Sequence, residues 1–461
     1  GQIVVHHCDI VPPLGESDYF CKPVEIKEGK VGAGYGTAWH EQIRKIAPGH
    51  AWVAPVLSAL YLLGQSHAEA LMQAGKIRVG AGGEAAEAVG WGGGFTIFLH
   101  SEVPPGANQA NTTALVTSVL LALTDCLQAV LLPGGGGNPQ EVLKGAGEDS
   151  WQLPLETEDL ALRVHRAVNA RRSNHGQLID AWTCLQALPG PPARLLRYSA
   201  QGHQLVGQVS VPKDLKIMAL DTGVNYATSG GSVEQLRLAG AMGLRIIETI
   251  YRDLGQRHTP LHGHLANLSP VLYRQYFRAL LPRRLRGSDF LRAYEPLAEQ
   301  VGTVAPERLY RVRAAVDHLL TEHEHAENFL QTIEELADPV ARRKLSSHQR
   351  EKIQRRAGRL LLASHHSYRL RVDLSCREAD WLVDHLMESG PDQGIYGARM
   401  TGSGGGGTVL ALLHNSRRTM DVLLETLTAY HQIIGLPLQV QEAGGGHAGG
   451  ALHTSGVEIT V

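Results

Sequence analysis

Aromatic side chains are scarce in this 461-residue chain: six phenylalanines, six tryptophans and 13 tyrosines make up 5% of it. Its core must therefore come mainly from aliphatic and small residues. Cysteine is scarcer still. Cys8, Cys21, Cys126, Cys184 and Cys376 are odd in number, far apart in sequence and form no CxxC pair. They encode neither a disulfide framework nor a cysteine zinc site, which favours a reducing compartment. No charge of one sign dominates, since 43 Lys+Arg stand against 45 Asp+Glu for a net charge of −2. Nucleic acid and anionic membrane are thereby excluded as expected partners. The longest apolar stretches, such as 114–123, fall short of the roughly 20 residues of a membrane span. With no basic start and apolar core of a signal peptide, the expected localisation is cytoplasmic. A Walker A loop, a GxSxG elbow, an HExxH pair and a Rossmann fingerprint after a strand are all lacking, as is any internal repeat.

Glycine is what the chain has in excess, with 52 residues against a usual share of about 7%. The length suits one large or two ordinary domains. Short strands are expected over 2–5 and 22–26, and apolar residues at helical spacing predict a buried helix over 51–63. Strand 95–100, a Gly/Asn-containing loop and an apolar helix over 114–123 follow in the order that places backbone N–H groups around an anion. An ordinary capped helix start reads equally well there, since Asn and Thr are favoured N-caps. Residues 133–150 are expected to be a flexible excursion. Helices over 158–171 and 233–254 flank an apolar strand over 216–220, and 265–386 is mostly helical. Two domains are expected, 1–205 and 206–461.

The most specific stretch is Tyr396-Gly397-Ala398-Arg399-Met400-Thr401-Gly402-Ser403-Gly404-Gly405-Gly406-Gly407-Thr408-Val409. Consecutive glycines let a backbone approach a neighbour closely on both sides of a turn. This segment resembles the third signature motif of the GHMP small-molecule kinases, nearest to the galactokinase and L-arabinokinase branch and its Gly-Ala-Lys-x-Thr-Gly-x-Gly-x-Gly-Gly loop. Asp221-Thr222-Gly223-Val224, the run from Gly263 through Leu291 and His365-His366-Ser367-Tyr368 resemble the same branch. Residues 101–114 lie over its Ser-x-Val-Pro-x-Gly-x-Gly-x-Ser-Ser-Ser-Ala loop without gaps. The resemblance implies an α+β GHMP fold, with an N-terminal half like domain 2 of ribosomal protein S5 and a ferredoxin-like C-terminal half. It also implies ATP, Mg²⁺ and a sugar or sugar-like substrate as partners.

Carried over residue by residue, the resemblance makes Asp180 the catalytic aspartate, although Gly176 stands one residue early and Ala181 replaces a glutamine. Gly106, Asn108, Thr112, Thr113, Gly402, Ser403, Gly404 and Gly405 fall at nucleotide-binding positions, with Thr112 offering a hydroxyl to the metal. Glu16, Asp18, Tyr19, Asp221, Gly223 and Tyr226 fall on the sugar side. His7 takes the place of an arginine that stabilises transferred charge, and the first arginine in the chain is Arg44. A histidine cannot form arginine's bidentate fork. Val168 stands where relatives carry a magnesium-ligating glutamate, Val233 where they carry a sugar-stacking tyrosine, and Asn108 where they carry a phosphate-loop glycine. Two functions follow: a sugar-kinase-type enzyme with a degenerate site, or a repurposed relative that binds a metabolite without ATP. His318, Glu322 and His325 share one helix face; the expected reading is a solvated face rather than a metal site.

Overall fold

The structure, a computed structural model, describes residues 2–9, 20–27, 55, 56, 58, 59, 95–99, 103, 110–131, 157–169, 177–186, 192–199, 201, 204–224, 230–256, 259–298, 301–402, 404–436 and 439–442. Strand β1 (Gln2–Asp9) pairs antiparallel with β2 (Phe20–Lys27) and parallel with β3 (Phe95–Leu99), giving the order β2-β1-β3. Both expected N-terminal strands are present and longer than their apolar runs. Of the helix expected over 51–63, the described residues 55, 56, 58 and 59 are helical and buried. The excursion at 133–150 lies outside the described residues.

Helices α1 (Asn111–Leu131), α2 (Thr157–Val168) and α3 (Leu178–Gln186) share one core of Val116, Leu120, Leu160, Val164, Val168 and Trp182. In α2 the buried positions 160, 161, 164, 167 and 168 form a single apolar stripe, as amphipathic packing requires. Glu158 and Asp159 at its start and His165 and Arg166 at its end complement the helix dipole.

Strands β4 (Arg194–Ser199) and β5 (Gln204–Ser210) make a hairpin that touches two cores. Tyr198 and Leu205 pack against the α1–α3 core, while Leu195 and Val209 pack against Ile333, Leu336 and Ile353. The hairpin also carries the Arg197–Glu327 ion pair, at 2.6 Å. The expected junction at 205/206 lies inside it.

The C-terminal sheet is built from β6 (Leu215–Asp221), β7 (Ile395–Met400), β8 (Thr408–His414) and β9 (Gln439–Glu442), antiparallel throughout and ordered β9-β6-β8-β7. Helices lie between β6 and β7, and α8 (Arg417–Ile434) between β8 and β9. This is the βαββαβ connectivity and strand order of a ferredoxin-like unit. Its core joins Met218, Leu220, Ala398 and Val409 to Leu382 and Val383 of α7 (Arg377–Ser389) and Tyr430 of α8. Helix α4 (Gly230–Asp253) and helix α5 (Val312–Ala337) enclose a second core of Met242, Ile247, Leu261, Phe290 and Val316.

Helix α6 (Ser347–His366) rests directly on β7. A Cβ on Gly358 would lie 1.9 Å from the Tyr396 carbonyl oxygen, and one on Gly397 would lie 2.1 Å from that of Gly358. The two backbones are in contact, and only glycine permits that. Among the described residues no helix is long and apolar enough to cross a membrane.

Candidate functional site

Strand β6 ends on Asp221, which pairs with Thr408 of β8 on one side and Gln439 of β9 on the other. The residue is 8% exposed, and its Oδ1 accepts from the Gly223 backbone N–H at 3.0 Å. Burial pushes this carboxyl above the ordinary aspartate range, and the single N–H partly offsets it.

The next residues rivet the glycine loop to the strand end. Thr222 donates to the Gly407 carbonyl twice, from its backbone N–H at 3.1 Å and from its hydroxyl at 2.6 Å. Gly407 donates back to the Val224 carbonyl at 2.9 Å, and the buried Tyr430 hydroxyl donates to the Thr222 carbonyl at 2.7 Å. On the loop's other side, Gly405 donates to the Leu374 carbonyl at 2.7 Å and the Tyr368 hydroxyl donates to the Gly402 carbonyl at 2.8 Å.

Gly402 and Gly404 to Gly407 all have positive φ, from 58° to 124°. A Cβ on Gly404 would fall 2.6 Å from the Leu374 carbonyl, and one on Gly406 would fall 2.9 Å from Val224. At these positions the close approach that demands glycine is made by the protein's own chain.

Behind the loop lies a polar network that spacing alone does not reveal. Arg399 sits 5.3 Å from the centre of the Tyr368 ring and pairs with Glu322 at 3.5 Å. Glu322 also accepts from the Ser364 hydroxyl at 2.6 Å and faces His325 at 3.7 Å. His318 meets the Tyr368 ring edge-on at 4.6 Å and bonds Ser367 at 2.9 Å through Nδ1.

The face expected to be solvated is therefore an interior one, with His318 only 2% exposed. The spacing was read correctly, but α6 and β7 cover that face. Burial lowers the His318 pKa to about 4 despite Glu322 beside it. Burial alone would raise Glu322, but His325, Arg399, Ser364 and His318 bring it below its ordinary value. Among the described residues no group of three or more His, Cys, Asp or Glu side chains can hold a metal.

The N-terminal candidates occupy helix starts. Thr112 and Thr113 stand in the first turn of α1, where Ala110 has φ 57° and the Asn111 side-chain amide donates to the Val103 carbonyl. Thr113 is buried; Thr112 is partly exposed. No acidic residue lies in that first turn.

Asp180 is the third residue of α3 and accepts from the Gln177 backbone N–H at 3.0 Å through Oδ2. Burial raises its pKa, and this bond opposes the rise. Val116, one turn beyond Thr112, and Ala181, next to Asp180, belong to the same core. Val168 is 3% exposed in that core. Val233 packs partly buried against the C-terminal core.

The structure thus brings together Asp221, Gly223, Gly402, Gly404 and Gly405 in one bonded unit, and places Thr112, Thr113 and Asp180 at the starts of two helices that share another core. His7 lies on β1, opposite Lys22 and Leu99, with its side chain outside the described residues. Glu16, Asp18, Tyr19, Gly106, Asn108, Ser403 and Tyr226 also lie outside them.

A family model described as GHMP kinases C terminal matches residues 350–425. The L-arabinokinase of Arabidopsis thaliana is 24% identical over 315 residues, which cover 62% of this chain and 29% of that protein. The galactokinase of Thermotoga petrophila is 47% identical over 86 residues, covering 18% of this chain and 23% of its own. The galactokinase of Bos taurus is 46% identical over 59 residues, covering 13% and 14%. These matches span well under two thirds of each relative's length. A crystal structure of Lactococcus lactis galactokinase complexed with galactose aligns with 96% of this chain and 81% of its own, with a TM-score of 0.52 and 13% identity. That likeness gives the fold, in agreement with the sheet order.

Proposed function

We propose that this chain, a relative of the galactokinase and L-arabinokinase branch of the GHMP kinases, is an ATP-dependent kinase that phosphorylates a hydroxyl of a sugar or sugar-like metabolite in the cytoplasm. The observation that carries this reading is the glycine loop riveted to the Asp221–Val224 strand end, in a segment that overlaps the matched C-terminal family region.

The residues present fit nucleotide phosphates. The start of α1 offers Thr112 and a helix N-terminus free of first-turn acids, which suits an anion. Mg²⁺ keeps several waters and leans on substrate phosphates rather than on an all-protein cage, so we assign it to the nucleotide with the Thr112 hydroxyl beside it. Val168, buried where relatives place a ligating glutamate, cannot take part. Mg·ATP, when bound, supplies the transferred phosphoryl group and neutralises part of its charge.

Asp180 orients the acceptor hydroxyl and takes its proton as the new O–P bond forms and the bond to the leaving ADP breaks. Its burial-raised pKa suits a group that must hold that proton. We assign Glu16, Asp18, Tyr19, Asp221, Gly223 and Tyr226 to sugar binding and His7 to the transferred charge. With histidine and valine at two family positions, the site is degenerate and slow. The 1–205 and 206–461 halves are its two walls, joined through the β4–β5 hairpin.

Thermal unfolding with and without Mg·ATP tests the reading, because a ligand that binds the native state raises Tm. The expected result is a rise at sub-millimolar nucleotide, together with sugar-dependent ADP release that Asp180→Asn lowers by about 100-fold or more. A rise with a sugar and none with nucleotide would replace it with the metabolite-binding alternative.

A further inference from the structure

At the end of the C-terminal sheet away from the glycine loop, a cavity of about 540 Å³ opens between α6, α8 and the turn at 391–394. Strand ends define its place: β6 starts just after Asp214, β7 starts at Ile395, and β8 ends at His414, whereas the other ends of these strands meet at the loop. Six or seven residues of strand separate the two ends, about 20 Å.

The carboxylates around this cavity are already matched. Asp214 accepts from Arg342 at 2.8 Å and from the Gln354 amide at 2.9 Å. Glu351 and Asp392 both accept from Arg355, at 2.6 and 2.7 Å. Two further arginines on the wall, Arg350 and Arg418, bond only neutral oxygens, those of Ser347 and Gln393. Arg350 Nε and His414 Nδ1 are buried without a hydrogen-bond partner. Buried polar groups in native proteins are ordinarily satisfied, so both atoms point to something that completes them.

The three arginines of the lining, Arg342, Arg350 and Arg418, balance its three carboxylates, and Arg355, bonded to Glu351 and Asp392 from outside the lining, adds one positive charge. Helices of 20 and 18 residues, α6 and α8, also start at this wall, next to Ser347 and Ser416, and each N-terminus adds roughly half a charge. A phosphate monoester carries about −1.5 to −2 at pH 7 and matches that sum. Arginines suit its oxygens better than lysines would.

We propose that this cavity is a second ligand site, separate from the glycine loop, and that it binds the phosphate group of a small phosphorylated metabolite through Arg350, Arg418 and His414. The proposal does not depend on the kinase reading.

Titration calorimetry at constant ionic strength, without nucleotide, tests it with two probes, inorganic phosphate and glucose 6-phosphate. The wild-type chain is expected to bind both. Tighter binding of the monoester identifies a phosphorylated metabolite as the occupant, and equal binding identifies free phosphate. Arg350→Gln with Arg418→Gln should weaken binding by about 10-fold or more, while Thr112→Val at the α1 start leaves it unchanged. Unchanged Tm and circular dichroism would show that the double variant is folded. If that pair folds poorly, Arg418→Gln alone, on an exposed side chain, is the substitute. Absence of binding at 10 mM of either probe, or binding lost in Thr112→Val and retained in the arginine variant, would overturn the proposal.

Discussion

The two segments assigned to the nucleotide are built in opposite ways. The loop over 401–407 has glycine at five of its seven positions, and it is fixed on two sides by bonds from Thr222 and Tyr368 and by bonds to the Leu374 and Val224 carbonyls. The entry to α1 reaches its left-handed turn with an alanine, Ala110, and one described anchor from Asn111 to Val103. Where several glycines are packed against the protein's own backbone, their number reports on rigidity as much as on a ligand. Where an alanine accepts a left-handed conformation, the structure carries a local cost that its surroundings must offset.

The sharpest way to break this contrast is Gly404→Ala. An alanine there must hold φ near 91° with its Cβ 2.6 Å from a backbone oxygen. The left-handed conformation costs about 1–2 kcal/mol, and the clash adds about 1–3. Denaturant unfolding should therefore show a loss of about 2–5 kcal/mol. A loss under 1 kcal/mol would mean that the loop yields, and that its glycines serve a ligand instead.

Acid attacks the same loop from behind, with a smaller effect. His318 is held neutral by burial, its pKa about 4 against roughly 6.5 in an unfolded chain. Above pH 6.5 neither state takes the proton. As pH falls from 6.5 toward 4 the unfolded chain gains it first, so stability drops by on the order of 2 kcal/mol by pH 5. Glu322, whose pKa is lowered, contributes in the same sense only below its ordinary range, and Asp180 and Asp221, raised by burial, act in the opposite sense, so a His318 variant isolates the histidine. Unfolding measured at pH 7.5 and pH 5 should differ accordingly in the wild type. His318→Gln should flatten the difference; an equal fall in the variant would assign it to other groups.

Part of the architecture could be read from periodicity, because α2 and β6 bury one continuous stripe or run each. What could not be read depends on partners far away in sequence. Gly404 needs Leu374 and Tyr368, and Gly407 needs Thr222, 185 residues away. The charged cavity takes Asp214, Arg342, Gln354 and His414 from four separate segments, none of which forms a motif. The 318–325 face illustrates the limit: spacing placed its side chains together, but only the cover from α6 and β7 makes them interior. Val168 is the reverse case, since its apolar side chain and helical spacing already mark a core position, and it lies in one.

The mildest test of the contrast is its mirror image, Ala110→Gly. Here the left-handed residue is an alanine at φ 57°, whose carbonyl accepts the first helical N–H, from Ala114 at 2.9 Å. Glycine removes the left-handed cost of about 1–2 kcal/mol but makes the unfolded chain more flexible by about 0.4–1 kcal/mol. The balance is a gain of roughly 0.5 kcal/mol, opposite in sign to Gly404→Ala. A gain confined to thermal stability would show that Ala110 is merely strained. If the same substitution also weakens Mg·ATP binding, then the rigid alanine turn is part of how this chain positions Thr112, doing with one stiff residue what the glycine loop does with its web of bonds.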